Sequence, residues 1–146
     1  SLADSTSNEF YLTGVQLEIG DTATDFEHRS FGDELARCQR YYTKFLVTSN
    51  YSYYGSGIAD AATSARIFKS FPVEMNHAPV LEQSANNTWN IYPPAQVFSA
   101  DATINNPSVW GSAINCTVAS GLTNGYAVHC TANNSSAAFF AFESEL

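Results

Sequence analysis

The chain has 146 residues, which fits one domain with a sizeable core. Six Lys and Arg residues stand against 14 Asp and Glu residues, for a formal charge of −8, and this balance argues against nucleic acid or an anionic membrane surface as partner, since both need a basic footprint. Only 14% of the residues are charged and 14% are aromatic, which together with many turn-forming residues favours β structure over a helical bundle.

The first predicted element is a strand from Phe10 to Ile19. Its apolar residues alternate with polar ones, and the phase shifts at Gly14 as a β-bulge would require. The following segment, GDTATDFEHRS, is polar and without periodicity, so it predicts a linker. Because the sequence begins with Ser1 rather than Met, we expect residues 1–29 to be the end of a preceding module.

A short connecting helix is predicted next, within residues 30–44. Ser30 can cap its N-terminus, with Asp33 three residues later in an arrangement like a capping box. Apolar side chains then recur at spacings of 4, 3 and 4. This spacing predicts one apolar helical face, formed by Phe31, Leu35, Cys38 and Tyr42. A helix of about twelve residues is too short to be stable alone, so this stripe must pack against something.

The remainder, residues 45–146, is predicted to be a terminal β domain. Seven short segments have strand character and are separated by turn signals: KFLVT, ARIFKSFPV, PVLEQ, TWNIY, SAINCTVA, YAVHCTA and AAFFAFESEL. Alternation is clear in two of them, with Ile114, Cys116 and Val118 on one face and Tyr126, Val128 and Cys130 on another. Asn124-Gly125 between these two segments is a hairpin signal. The pattern predicts an antiparallel β-sandwich, jelly-roll-like, or a barrel.

The three cysteines have no spacing typical of a metal site. Cys116 and Cys130 fall on strands predicted to be neighbours, so a disulfide between them is one interpretation. Free thiols that act as small core residues are the other, since unpaired Cys is among the most buried residue types.

The segment GVQLEIGDTATDFEHRSFGDELARCQRYY resembles one that recurs in tail-fibre and related virion proteins of tailed bacteriophages, many of them marine. The likeness lies in Val15–Glu18 and Gly20, in Phe26–Ser30, and in the helix from Glu34 through Cys38 to Tyr42. FPVEM with the later Pro79, and the terminal FFAFESEL, fit the same pattern. The middle of the chain, residues 51–126, diverges, as expected for a surface that faces different hosts.

The resemblance implies a homotrimeric tail-fibre tip domain, located extracellularly on the virion. It also implies three kinds of partner: two further copies of the chain, other virion tail proteins, and a host surface polysaccharide or outer-membrane receptor. A trimer would bury the predicted helical stripe either at the threefold axis or against a neighbour's sheet, and the sequence leaves both open.

Catalysis is not expected from the residue pattern. Glycoside hydrolysis needs two carboxylates across a cleft, yet most candidates lie in the linker and helix, where solvated or capping roles suffice: Asp21, Asp25, Glu27, Asp33, Glu34, Asp60, Glu74, Glu82 and Asp101. The three histidines lack the spacing of zinc ligands, and no nucleophile motif or complete glycine-rich phosphate loop is present. We therefore expect no enzyme activity, cofactor or metal.

Aromatic side chains are the better candidates for binding a receptor. Sugars stack their C–H faces on exposed rings while neighbouring amide side chains bond their hydroxyls. Rings lie beside Asn-rich or Tyr-rich segments at Trp89, Tyr92, Trp110, Tyr53 and Tyr54; the alternative for each ring is a place in the core or in a subunit interface. Two other functions remain open: a soluble carbohydrate-binding module, and a structural capsid or tail decoration component without a receptor.

Overall fold

The computed structural model describes residues 11–85, 88–92 and 98–144, with the backbone alone at 98–100. The described part of the chain forms one helix and nine strands: α1 (Phe31–Gln39), β1 (Tyr42–Leu46), β2 (Tyr53–Ala61), β3 (Ser64–Ser70), β4 (Val80–Gln83), β5 (Trp89–Tyr92), β6 (Phe98–Asn105), β7 (Gly111–Thr117), β8 (Ala127–Ala132) and β9 (Phe139–Glu143).

The strands form two antiparallel sheets. The larger closes into a barrel in the order β2-β3-β7-β6-β5-β8, and the smaller has three strands in the order β1-β9-β4. The prediction of a mainly β, antiparallel fold behind one short helix is confirmed, and two sheets that share a core are consistent with the expected sandwich.

Small side chains fill the barrel. An eight-stranded barrel is just wide enough for its side chains to fill the interior, so six strands leave less room. Inward positions of β3, β7 and β8 accordingly carry Ala or medium-sized apolar residues; fully buried examples are Ala65, Ile67, Ile114, Cys116, Val128 and Cys130. The large exception is Trp89 of β5, whose ring reaches Phe140 of the small sheet. The predicted inward faces of the two alternating strands are therefore confirmed, except that Tyr126 is exposed.

An aromatic layer joins the barrel to the small sheet. Phe140 and Phe142 of β9 point towards the barrel and are fully buried. The Trp89 ring stacks on Phe140 with centroids 4.2 Å apart, and Tyr54 meets both rings edge-on. Such pairs contribute about 0.5–1.5 kcal/mol each beyond the burial of their area, so this layer holds the two sheets together.

Two strands were missed by the sequence prediction, and one predicted hairpin is wrong. β2 looks like a glycine-rich loop in the sequence, and β6 was also not predicted. Gly125 does form a turn, with a positive φ of 86°. However, the turn leads from β7 to β8, which lie on opposite sides of the barrel and do not pair.

Both barrel cysteines are free and fully buried. Although β7 and β8 are not neighbours, the thiols of Cys116 and Cys130 meet inside the barrel. Their mutual hydrogen bond, together with burial, raises the pKa of the Cys130 thiol well above its ordinary value. Both are therefore inert core residues in this state.

The N-terminal region differs from the prediction in two ways. The strand predicted from Phe10 to Ile19 is absent from residues 11–19, while Phe10 lies outside the described residues. Every residue from 11 to 30 is exposed. The helix is capped by Ser30 as predicted, but it ends at Gln39, where the Thr43 hydroxyl donates to the Gln39 carbonyl. Tyr42 is consequently the first residue of β1 and does not lie on the helical stripe.

Candidate functional site

The two tryptophans have opposite environments. Trp89 is only 1% exposed and belongs to the aromatic layer, as does Tyr54. The prediction that these two rings face a receptor is therefore wrong, because the packing of the small sheet on the barrel covers them. Trp110, in contrast, is 63% exposed and stays a binding candidate.

Tyr53 and Tyr92 lie on the outer surface of the barrel, next to His129. The imidazole is 5.4 Å from the Tyr53 ring and 6.2 Å from the Tyr92 ring, measured between centroids. The three residues come from the adjacent strands β2, β8 and β5. They form a cross-strand aromatic ladder on a different set of strands from Trp110, so the structure does not unite the predicted rings in one site.

A groove of about 630 Å³ runs beside Trp110 on the outer surface of β3, β7 and β6. Phe68 of β3, 60% exposed, pairs in register with Ala113 of β7, which pairs in turn with Asn105 of β6. Gly111 extends the row of small residues along β7. The groove thus has a floor of Ala113 and Gly111 and two aromatic walls, Phe68 and Trp110. We call it the Trp110 groove.

The backbone on both sides of Trp110 is fixed by hydrogen bonds. The Ser108 hydroxyl accepts from the amides of Trp110 and Gly111, at 3.3 and 3.2 Å. The Trp110 carbonyl accepts from the Phe71 amide at 3.0 Å. Gly111 is also required here, because a Cβ at this position would lie 2.6 Å from the Lys69 carbonyl oxygen. An exposed indole is therefore presented from a rigid turn, which lowers the entropic cost of binding a ligand.

The polar rim of the Trp110 groove contains amide and hydroxyl groups and two cationic residues. One of them, Lys69, turns its ammonium to the Tyr54 carbonyl, 3.3 Å away. Asn105, Asn106 and Ser108 lie along one side, and Arg66 closes the other. The Arg66 Nε atom is 2.6 Å from a carboxylate oxygen of Asp60. A hydrogen bond from Ser64 and the nearby Arg66 charge hold the pKa of Asp60 below its usual value, so this pair is ionised at neutral pH. The rim can therefore bond hydroxyl groups, and both of its cations already have partners within the chain.

Phe68 was not predicted as a site residue, although the sequence contains a signal for it. In ARIFKS the inward residues Ala65 and Ile67 alternate with Arg66 and Phe68, which must then point outward. A large aromatic residue at an outward position of a central strand is a stronger indicator of a binding surface than a ring in a loop.

A second unusual surface is the arm, which we define as residues 11–30. Its shape is set by side-chain hydrogen bonds. The side-chain amide oxygen of Gln16 accepts from the backbone amide of Glu27 at 2.8 Å. The Glu18 carboxylate accepts from the backbone amide and the hydroxyl of Thr24, both at 2.6 Å. Arg29 is paired with Glu27 and with Glu34 of α1. The arm therefore folds back on itself through polar contacts and buries no apolar residue of its own.

The apolar side chains of the arm and helix are left in solvent. Leu17 is 98% exposed and Phe31 is 81% exposed, and none of the nine residues of α1 is buried. Of the predicted interface residues, Phe31, Leu35 and Cys38 share the exposed helical stripe. Tyr42 lies instead on the outer face of the small sheet, where its hydroxyl donates to Glu82 at 3.2 Å.

Within residues 11–85, 88–92 and 98–144, no group of three His, Cys, Asp or Glu side chains could hold a metal ion. Several candidate carboxylates have structural partners: Asp60 pairs with Arg66, Glu27 and Glu34 pair with Arg29, and Asp33 caps α1 with Ser30. In the same described residues, no helix is long and apolar enough to span a membrane.

Comparisons of the chain with known protein families, with curated proteins and with solved structures found no match.

Proposed function

We propose that this chain is a trimeric virion attachment domain, the tip of a bacteriophage tail fibre, which binds a glycan on the host surface without cleaving it. The observation that carries the binding part is the Trp110 groove. Two exposed aromatic walls on a rigid floor are costly to leave in water, and they match the apolar C–H faces of a sugar.

The rim of the groove narrows the type of ligand. Its lining contains amide and hydroxyl groups and two cationic residues. Arg66 already pairs with Asp60, and the Lys69 ammonium donates to the Tyr54 carbonyl at 3.3 Å. Such a rim suits the many hydroxyl groups of a neutral sugar better than a multiply charged ligand, which would need several unpaired cations. We therefore propose a neutral oligosaccharide segment as ligand.

The exposed apolar arm and helix support the assembly part of the proposal. A domain that attaches a particle to a cell gains from repetition, because three weak sites on one fibre and several fibres on one particle give firm adhesion. The resemblance to a tail-fibre segment, which lies in residues 15–18 and 20, 26–30, 34–35 and 38–42, supports the same assignment.

The test uses the full chain on an array of bacterial surface glycans and as a competitor of phage adsorption. We expect binding that Trp110→Ala weakens by about tenfold or more, equivalent to about 1.4 kcal/mol. The matched control is Tyr126→Ala, since Tyr126 is 55% exposed but lies outside the groove. Equal losses in both variants would remove the groove from the proposal.

Other outcomes support the competing functions. Glycan binding by a stable monomer would favour a soluble carbohydrate-binding module. Neither binding nor competition would favour a structural capsid or tail component without a receptor. Release of oligosaccharide from host envelope material would contradict binding without cleavage.

A further inference from the structure

We infer that the α1 helices of three copies pack side by side around a common axis through Phe31, Leu35 and Cys38. This inference rests on the trimer proposed above and goes beyond it, because it decides between the two partners that the sequence leaves open for the stripe. The exposed face of each α1 helix packs against the same face of the α1 helices in two further copies, and not against a neighbour's sheet.

The first observation is the amount and location of exposed apolar surface. Of 18 large apolar side chains that are exposed in the described residues, 8 lie in the arm and α1, between Tyr11 and Leu35. At about 100–200 Å² for each large side chain, they leave on the order of 1,000 Å² of apolar surface in water. The largest apolar patch on a typical monomer is roughly 300–600 Å², whereas a stable interface buries about 800 Å² on each partner. The arm and helix thus carry enough apolar surface for an interface with other copies.

The second observation is how the helix is attached to its own β body. The chain is held directly after α1, where the Arg40 carbonyl accepts from the Asn76 amide and the Tyr41 carbonyl accepts from the Ser144 amide, both at 2.7 Å. The helix itself buries none of its residues against that body. Its orientation is therefore fixed at one end while its apolar stripe stays open to another copy.

The third observation concerns the alternative partner, the outer face of the small sheet. The central residue of that face, Ala141, is fully buried by the chain's own side chains. The Lys44 ammonium lies 3.7 Å from the centre of the Phe139 ring, and the Tyr42 hydroxyl bonds to Glu82 across the sheet. Docking a helix there would displace these contacts and bury charges, which disfavours this partner.

The fourth observation is the spacing within the stripe. Residues 31, 35 and 38 are separated by 4 and 3, which is the spacing of core positions in a bundle of parallel helices. The charged residues of the helix, Asp33, Glu34 and Arg37, fall outside the stripe and would stay in solvent. Over nine residues the contact would be about 13 Å long, so it adds to the contacts of the arms and does not form the trimer alone.

Cys38 provides a direct probe, because its thiol is exposed while the other two cysteines are buried. Diamide converts two neighbouring thiols into a disulfide and takes up the two electrons and two protons that they lose. Around a threefold axis only two of three Cys38 thiols can pair. We therefore expect oxidation of the full chain at low micromolar concentration to stop with two thirds of the chains as covalent dimers and one third as monomers.

Two variants serve as controls. Cys38→Ser should give no covalent dimer, which excludes a reaction of the buried thiols. Adding Arg37→Cys to Cys38→Ser moves the thiol to the solvent side of the same helix turn, so it should also give none. Sedimentation of each protein before oxidation reports its oligomeric state separately.

The outcomes separate this inference from the proposed function. A trimer in which Cys38 does not cross-link, or in which the Arg37→Cys thiol cross-links equally well, would overturn the axial helices and leave the trimer standing. Complete conversion to covalent dimers would indicate a twofold contact and would overturn both. A monomer before oxidation would also overturn both.

Discussion

Replacing Trp89 with alanine should destabilise the β body strongly. The indole is 1% exposed and stacks on Phe140 at 4.2 Å, with Tyr54 against its edge. Removing about 150–250 Å² of buried ring at about 25 cal/mol per Å² gives roughly 4–6 kcal/mol as an upper estimate. This agrees with the roughly 3–5 kcal/mol typical of Trp→Ala in a core. Such a loss is a large share of the free energy of unfolding of a typical domain, which is roughly 5–15 kcal/mol.

The other tryptophan supplies the matched control. Trp110 is 63% exposed, and only its backbone takes part in the hydrogen bonds that hold its turn. Trp110→Ala should therefore change the free energy of unfolding by no more than about 0.5 kcal/mol. The two variants should differ in the opposite sense in glycan binding. Trp110→Ala should bind the glycan more weakly, and Trp89→Ala should bind it normally under conditions in which the variant is folded.

Urea unfolding followed by far-ultraviolet circular dichroism measures the difference. At a slope of about 2 kcal/mol per M, a loss of 4 kcal/mol lowers the midpoint by roughly 2 M. A midpoint for Trp89→Ala within about 0.3 M of the parent protein would refute the aromatic layer as the junction between the two sheets. So would an equal loss of stability in Trp110→Ala.

Further predictions concern backbone packing and thiol accessibility. Gly57→Ala should destabilise the barrel by at least about 1–3 kcal/mol, because a Cβ there would lie 1.7 Å from the Arg66 carbonyl oxygen. Gly20→Ala is the control and should leave the thermal midpoint unchanged, since a Cβ at Gly20 would be 3.9 Å from its nearest neighbouring atom. Equal midpoints for the two variants would contradict the close approach of β2 and β3. A chromogenic disulfide reagent should titrate at most one thiol per folded chain, Cys38, and three after unfolding. More than one fast thiol in the folded protein would contradict the buried pair.

Local patterns in the sequence identified most of the strands correctly. Alternation marks which residues of β7 face inward, since the strand period is two and one face is buried. Ser30 marks the start of the helix because its side chain satisfies the Asp33 amide. These features depend on neighbours within a few residues, so the sequence contains enough information to predict them.

Pairing between distant strands could not be predicted in the same way. The Asn124-Gly125 turn has the same local form whether it joins partners or crosses a barrel, and the difference lies in what buries β7 and β8. β2 was missed because its glycines resemble a loop, whereas Gly57 is needed where β3 comes close. Likewise, Trp89 and Trp110 both follow Asn-rich segments, and only the position of β9 decides which of them is covered.

The arm shows a different limit of local patterns. Alternation from Val15 to Ile19 predicts a strand, yet a strand needs a partner for its backbone hydrogen bonds. Among the described residues no strand pairs with residues 12–19, and hydrogen bonds that the Gln16 and Glu18 side chains accept shape the segment instead. Its apolar residues are consequently exposed, which is the reason for placing other copies around it.

Sedimentation equilibrium of the full chain tests most directly whether other copies cover the arm and helix. The measurement should span protein concentrations from about 0.1 to 10 µM, because assembly depends on protein concentration. We predict a mass three times that of the 15.9 kDa chain, and a smaller mass for Leu35→Asp, which places a charge on the exposed stripe. A parent protein that stays folded at 15.9 kDa throughout this range would contradict the account.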